Sequence, residues 1–173
     1  MDFDREKFKK LVHYICEQAS GLDFGSTKLN KCLWFSDTIA YLKLGRSITG
    51  ERYVKRQFGP VAFDILPAQR ELVDEGKIAV GAPDAEYDNW DFMVQKKADA
   101  SDFTQDEIGI IQQVIHFVCC EHTARSISTL THDRVWKLAE VGEDIPYEAM
   151  FIARLGEIDE HDVSWAKREL AGG

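Results

Sequence analysis

Between residues 4 and 19 the apolar side chains fall at Phe8, Leu11, Val12, Ile15, Cys16 and Ala19. That is the i, i+3, i+4, i+7 spacing of an amphipathic helix. Asp4 is placed to cap its start, Phe3 and Phe8 to bracket the cap as a hydrophobic staple, and Gly21 to end it. The device recurs at Phe103, Thr104, Glu107 and Ile108, where Thr104 and Glu107 complete a capping box, and predicts a helix over 105–121. It recurs again at Ile158, Asp159 and Val163, opening a last helix that ends near Leu170.

The stretch from Thr27 to Leu44 differs, being apolar on most sides as a central core helix is. At 100° per residue, Leu29, Leu33, Ala40 and Leu44 share one narrow arc, the deepest face. Asn30 and Asp37 lie beside it, flanked by Trp34 and Tyr41, and Lys28, Lys31 and Lys43 fall on the far side. Residues 45–59 read as a turn-rich connector holding one strand, about Arg52 to Arg56, and Gly59-Pro60 reads as a fixed turn. A helix from about Asp64 to Glu75 tolerates Pro67 in its first turn and stops at Gly76. Ile78–Val80 and Trp90–Val94 read as strands joined by the polar loop 82–89, a hairpin expected to add to the strand near Tyr53. Ile127 with Leu130, and Val135, Trp136 and Leu138, suggest two short helices. The pattern predicts a mostly helical α+β fold: a single domain over residues 1–173 with about six helices, a small antiparallel sheet of two to three short strands, and a flexible tail at 171–173.

Composition narrows the class. With 45% apolar and 29% charged residues the chain buries a real core without metal or disulfide staples. No apolar run approaches the roughly 20 residues that span a bilayer, and the acidic start Met1-Asp2-Phe3-Asp4 is unlike a basic secretory leader. A cytoplasmic location and no membrane partner follow as expectations, with Cys16, Cys32, Cys119 and Cys120 read as small buried hydrophobes. The net charge of −9 is uneven: seven basic against two acidic residues over 28–56, and four against fourteen over 99–162. An acidic chain is a poor ligand for a phosphate backbone, so no nucleic-acid partner is expected, whereas the asymmetry suits a charged protein partner.

Little in the chain suggests catalysis. His116, Cys119, Cys120 and His122 crowd together, but tetrahedral zinc normally takes two separated ligand pairs and no second pair occurs. A thiol nucleophile needs a histidine within reach and a helix amino terminus or a similar cue, and all four cysteines fall in helix interiors or near helix ends. No glycine-rich phosphate loop is present, and no cofactor is implied. Asp37, a carboxylate at the edge of a core, requires a partner, and Arg52, Tyr53, Lys55 and Arg56 are the nearest candidates. Trp34, Tyr41, Arg52, Tyr53, Arg56 and Phe58 gather the residue types that dominate interface hot spots around one helix and its adjoining turn, and form the expected partner-binding surface. On that reading Tyr53→Ala weakens partner binding and leaves the melting temperature nearly unchanged.

The run Lys28-Leu29-Asn30-Lys31-Cys32-Leu33-Trp34-Phe35-Ser36-Asp37 is followed by Gly45, Gly50 and Tyr53, then Phe58-Gly59-Pro60-Val61, and later Leu130-Thr131-His132 and Val135-Trp136. This ordered set resembles the Panacea antitoxin domain, also called the SocA-like antitoxin domain, over roughly residues 8–150. The resemblance implies a module that neutralises a cognate toxin protein by direct contact and performs no chemistry of its own. Lys28, Asn30, Asp37, Gly45, Gly50, Gly59, Pro60, His132 and Trp136 are then its structural motif. Two alternatives remain: an adaptor that delivers a toxin to a cytoplasmic protease, with the basic and acidic segments as its two surfaces, and a thiol- or metal-dependent enzyme built on His116–His122.

Overall fold

A computed structural model describes residues 2–81 and 91–150, so the expected helix ending near Leu170, the 171–173 tail, the 82–89 loop and Trp90 lie outside the described residues. In chain order the elements are α1 (Arg5–Gln18), α2 (Ser26–Leu44), β1 (Tyr53–Arg56), β2 (Gly59–Ala62), α3 (Ile65–Asp74), β3 (Ile78–Val80), β4 (Phe92–Val94), α4 (Gln105–Cys120), α5 (Ala124–Leu130) and α6 (Arg134–Leu138). The mostly helical α+β class read from the periodicity is the one observed.

The caps form as their residues predict. Asp4 accepts from Lys7 N at 2.9 Å, and the Phe3 and Phe8 rings meet edge-on at 5.8 Å. In α4, Thr104 Oγ1 accepts from Glu107 N at 3.2 Å while Glu107 Oε2 accepts from Thr104 N at 2.9 Å. Glu107 does more than cap, because it is fully buried and also receives Lys7 Nζ at 3.0 Å and Arg46 at 2.8 Å. Burial raises its pKa, but these hydrogen bonds outweigh that and hold it below the usual carboxylate range. One side chain thus joins α1, the turn after α2, and α4.

α2 is the central rod, packed against α1, α4, α5 and β2. Leu29, Cys32, Leu33 and Ala40 have no exposed surface, and the helix stops where Gly45 turns left-handed at φ +72°, its N–H bonding Tyr41 O at 3.1 Å. Lys28 and Lys31 are not on a solvated face, contrary to the helical-wheel expectation; both are buried, and of the three lysines only Lys43 is exposed. The reason is that a lysine stem is itself apolar and can be covered if the ammonium meets oxygen. Lys28 Nζ reaches Asp23 O and Asp23 Oδ2, both at 2.8 Å, and Lys31 Nζ donates to Phe58 O.

The sheet differs from expectation. β1 pairs antiparallel with β2, and β3 with β4, as two separate pairs, so the 78–94 hairpin does not add to the strand near Tyr53. The Gly59-Pro60 step, read as a turn, is instead the start of β2, with Arg56 opposite Gly59 and Lys55 opposite Pro60. Lys55 N bonds Glu143 O on the far side of β1, so Pro60 occupies a position facing away from β1, where no N–H is required. α3 ends in a Schellman turn, Lys77 N to Leu72 O and Gly76 N to Val73 O, both at 2.9 Å.

Candidate functional site

Two polar side chains on α2 fasten the segment that follows it. Asp37, with no exposed surface, accepts from Thr49 N at 2.9 Å, Thr49 Oγ1 at 2.7 Å and Tyr53 Oη at 2.8 Å. Of its four expected partners only Tyr53 is used. Lys55 Nζ donates to Ala139 O at 2.9 Å, and Arg52 lies over the Phe63 ring at 3.8 Å and pairs with Asp144 at 3.5 Å. Burial pushes the Asp37 pKa up against the lowering effect of the Thr49 and Tyr53 bonds. Two turns earlier, Asn30 Oδ1 accepts from Ala62 N at 3.2 Å, and its amide donates to Ser26 O at 3.0 Å. Asn30 therefore holds the β1–β2 hairpin while Asp37 holds the turn before it. Gly50, within that turn, lies against the main chain of Asp2 and Phe3.

Burial removes two residues from the expected contact surface. Trp34 and Tyr53 are 3% and 1% exposed, their rings meeting at 5.0 Å, with Tyr147 stacked on Trp34 at 6.2 Å. They are core, and because the Tyr53 phenol completes the Asp37 site, Tyr53→Ala is expected to lower stability and not to leave the melting temperature unchanged. Tyr41 is half-buried, packs on Tyr147 at 5.4 Å and donates to Glu148 Oε1 at 2.6 Å. Beneath them Glu51 is buried, and burial, with Asp64 and Asp37 nearby, pushes its carboxyl up to about 7 despite a bond from Arg52 N.

The hairpin tip is clasped from both sides. Lys31 Nζ reaches Phe58 O from below, and burial pushes that ammonium down to about 7. Gly59 at φ +113° is required here twice over, by its backbone and because a Cβ would run into Lys31 Nζ and Thr131 Oγ1. From the other side Trp136 Nε1 donates to Arg56 O at 3.2 Å. The His132 ring stacks on Trp136 at 3.7 Å, 7° from parallel, and Lys55 Nζ sits 4.2 Å from the Trp136 centroid. Burial and three lysines, Lys31, Lys55 and Lys137, push the His132 pKa down.

Of the basic residues over 28–56, Lys28 and Lys31 are buried, Arg46 is paired with Glu107, and Arg52 with Asp144. What the segment does present is a groove. A cavity of about 650 Å³ opens between the hairpin and α3, floored by Val54, Val61 and Ile65 and flanked by Phe63, Leu66 and Val73. It shares Ser26, Asn30, Arg56 and Val61 with a second hollow of about 320 Å³ that reaches Lys31 and Phe58. Phe58, Phe63 and Leu66 are 56%, 53% and 61% exposed, large apolar side chains left in water. Arg56 and Phe58 were expected at a surface; Phe63, Leu66 and Val73 were not. Their signal was a second stripe: Leu66 and Val73 stand seven apart on α3, off the face that buries Ile65, Ala68 and Leu72.

The His–Cys crowd does not converge. Cys119 is buried and Cys120 exposed, so the expectation that all four cysteines are buried fails for Cys120, which lies just past the core stripe of α4. His116 pairs with Glu121 at 3.5 Å and His122 bonds Ser126 at 3.1 Å. No group of three or more His, Cys, Asp or Glu side chains placed to hold a metal occurs among the described residues.

The model of one protein family, described as Antitoxin SocA-like, Panacea domain, matches residues 29–137. That span runs from the first turn of α2 to α6 and is narrower than the 8–150 of the sequence resemblance; α1 and the 139–150 segment, which pack on it, fall outside. No curated protein and no solved structure matches the chain. The match covers more than half of the sequence and contains Asn30, Asp37, the clasped hairpin and the groove: this chain belongs to the SocA-like antitoxin, Panacea domain family.

Proposed function

We propose that this domain neutralises a cognate toxin protein by stoichiometric binding, with no turnover. Family membership supplies the class of activity, and the open apolar groove within the matched span is the observation that carries the mode. Phe63, Leu66 and Val73 leave a contiguous apolar lining exposed around that cavity, and contiguous exposed apolar surface of this kind marks binding sites. The hairpin wall of that groove is held rigid by Asn30, Lys31 and Trp136, so a partner would meet a preformed surface with little ordering cost.

The test is co-expression with the protein encoded beside this chain, as the candidate toxin. Growth should recover in proportion to the amount of chain supplied, and the two proteins should co-purify at a fixed ratio by size-exclusion chromatography with light scattering. Protection by a small fraction of the toxin's concentration, without a complex, would refute stoichiometric neutralisation.

A further inference from the structure

Whatever lies in the groove must find its own main-chain hydrogen bonds. The β1 edge of the β1–β2 hairpin is occupied, and the β2 edge has no free N–H to offer a strand. On β1, Lys55 N bonds Glu143 O, Gly142 N bonds Lys55 O and Ile145 N bonds Tyr53 O, at 2.8–2.9 Å. On β2, the Ala62 N–H goes to Asn30 and Pro60 has none to give. The remaining neighbour, β3, is three residues long, too short a template for a strand of useful length. An extended peptide would therefore bring unpaired backbone groups against an apolar floor, whereas an α-helix satisfies its own.

Charge sets the second requirement. Among the described residues Arg56 and Arg70 line the groove without a carboxylate partner, and Asp74 is the single acidic side chain lining it. Arg56 is common to both hollows, beside Ser26 and Thr27 at the start of α2, a helix whose amino terminus has no side-chain cap. An unpaired guanidinium beside that positive helix end favours a carboxylate.

We propose that the groove between α3 and the β1–β2 hairpin receives an amphipathic helix of the toxin, its apolar stripe on Phe63, Leu66 and Val73 and an acidic side chain of that helix at Arg56. The inference rests on the toxin-binding function proposed above. It adds the recognition mode: a helix laid in a groove, anchored by apolar contacts and set in register by one ion pair.

The test uses the full chain and the toxin it neutralises. Leu66→Asp and Val73→Asp alter exposed side chains, so their unfolding midpoints should match the parent, while each weakens the complex by about 30-fold or more. Arg56→Glu should weaken it by about 10-fold, and reversing one acidic residue of the toxin helix to Lys should restore binding to that variant alone. A photo-crosslinking residue at position 66 should attach to a toxin segment with helical apolar periodicity. If the parent chain fails to protect cells or form a complex, the toxin-binding function itself is wrong. If the parent binds but Leu66→Asp and Val73→Asp bind equally well, the function stands and the groove assignment falls. Crosslinks to an extended toxin strand, or to a second copy of this chain, would also overturn it.

Discussion

Replacing Asp37 tests whether α2 organises the segment beside it. In Asp37→Ala three donors lose their acceptor inside the core: Thr49 N–H, Thr49 O–H and Tyr53 O–H. The Thr49 hydroxyl also accepts from Glu51 N at 3.3 Å and is free to rotate, so the uncompensated donors are the Thr49 amide and the Tyr53 phenol. At about 1–3 kcal/mol for each buried orphan, less what is recovered by no longer burying a carboxyl group, the loss is about 3–4 kcal/mol. For a chain of this length that lowers the melting temperature by about 6–16 °C. Asp37→Asn is the control. It keeps an oxygen for the Thr49 amide, while its NH₂ faces two hydroxyls able to turn and accept, and it should cost about 1 kcal/mol. Urea unfolding followed by circular dichroism, with unchanged m-values, measures both. Asp37→Ala within about 1 kcal/mol of the parent, or Asp37→Asn as damaging as Asp37→Ala, would refute the reasoning.

The acid groups also carry a pH signature. Glu51 sits at about 7 in the folded chain against its ordinary 4.5, so the folded state holds the proton more tightly. Its contribution is complete below pH 4.5 and is lost as pH rises through 7. Glu51→Gln should remove about 2–3 kcal/mol of this decline, and end more stable than the parent at pH 8 in urea titrations across pH 5–8. Gly59→Ala should cost about 2–5 kcal/mol from backbone strain and collision with Lys31 and Thr131, with Lys31→Ala in the same chain recovering part of it. No loss in thermal scans would mean that the hairpin tip is not clasped as described.

The features legible in the sequence are those made by residues close together in it. Asp4 with Phe3 and Phe8, Thr104 with Glu107, and the unbroken apolar circumference of α2 each announce a helix end or a buried rod, because caps and periodicity act over one or two turns. Asp37 was recognisable as a residue needing partners for a related reason: a carboxylate among Leu33, Trp34 and Ala40 has few affordable states. Which groups would answer it was not legible. Thr49 lies twelve residues on, across a turn, and its amide was as plausible an acceptor-seeker as any other.

Tertiary structure decided the rest. Lys28 and Lys31 share the composition of a solvated face, and only the approach of the Asp23 and Phe58 carbonyls lets the core take them. Gly59-Pro60 carries the chemistry of a turn, and only the pairing with Lys55 and Arg56 makes it a strand. Leu66 and Val73 form an apolar stripe on α3 off its core face, and only the hairpin standing opposite, with Phe63 just before the helix, turns that stripe into the wall of a groove. Burial, strand pairing and concavity are properties of what stands opposite a residue, whether it is five positions away, as Asp23 is from Lys28, or twenty-seven, as Phe58 is from Lys31, and helical periodicity carries no record of it.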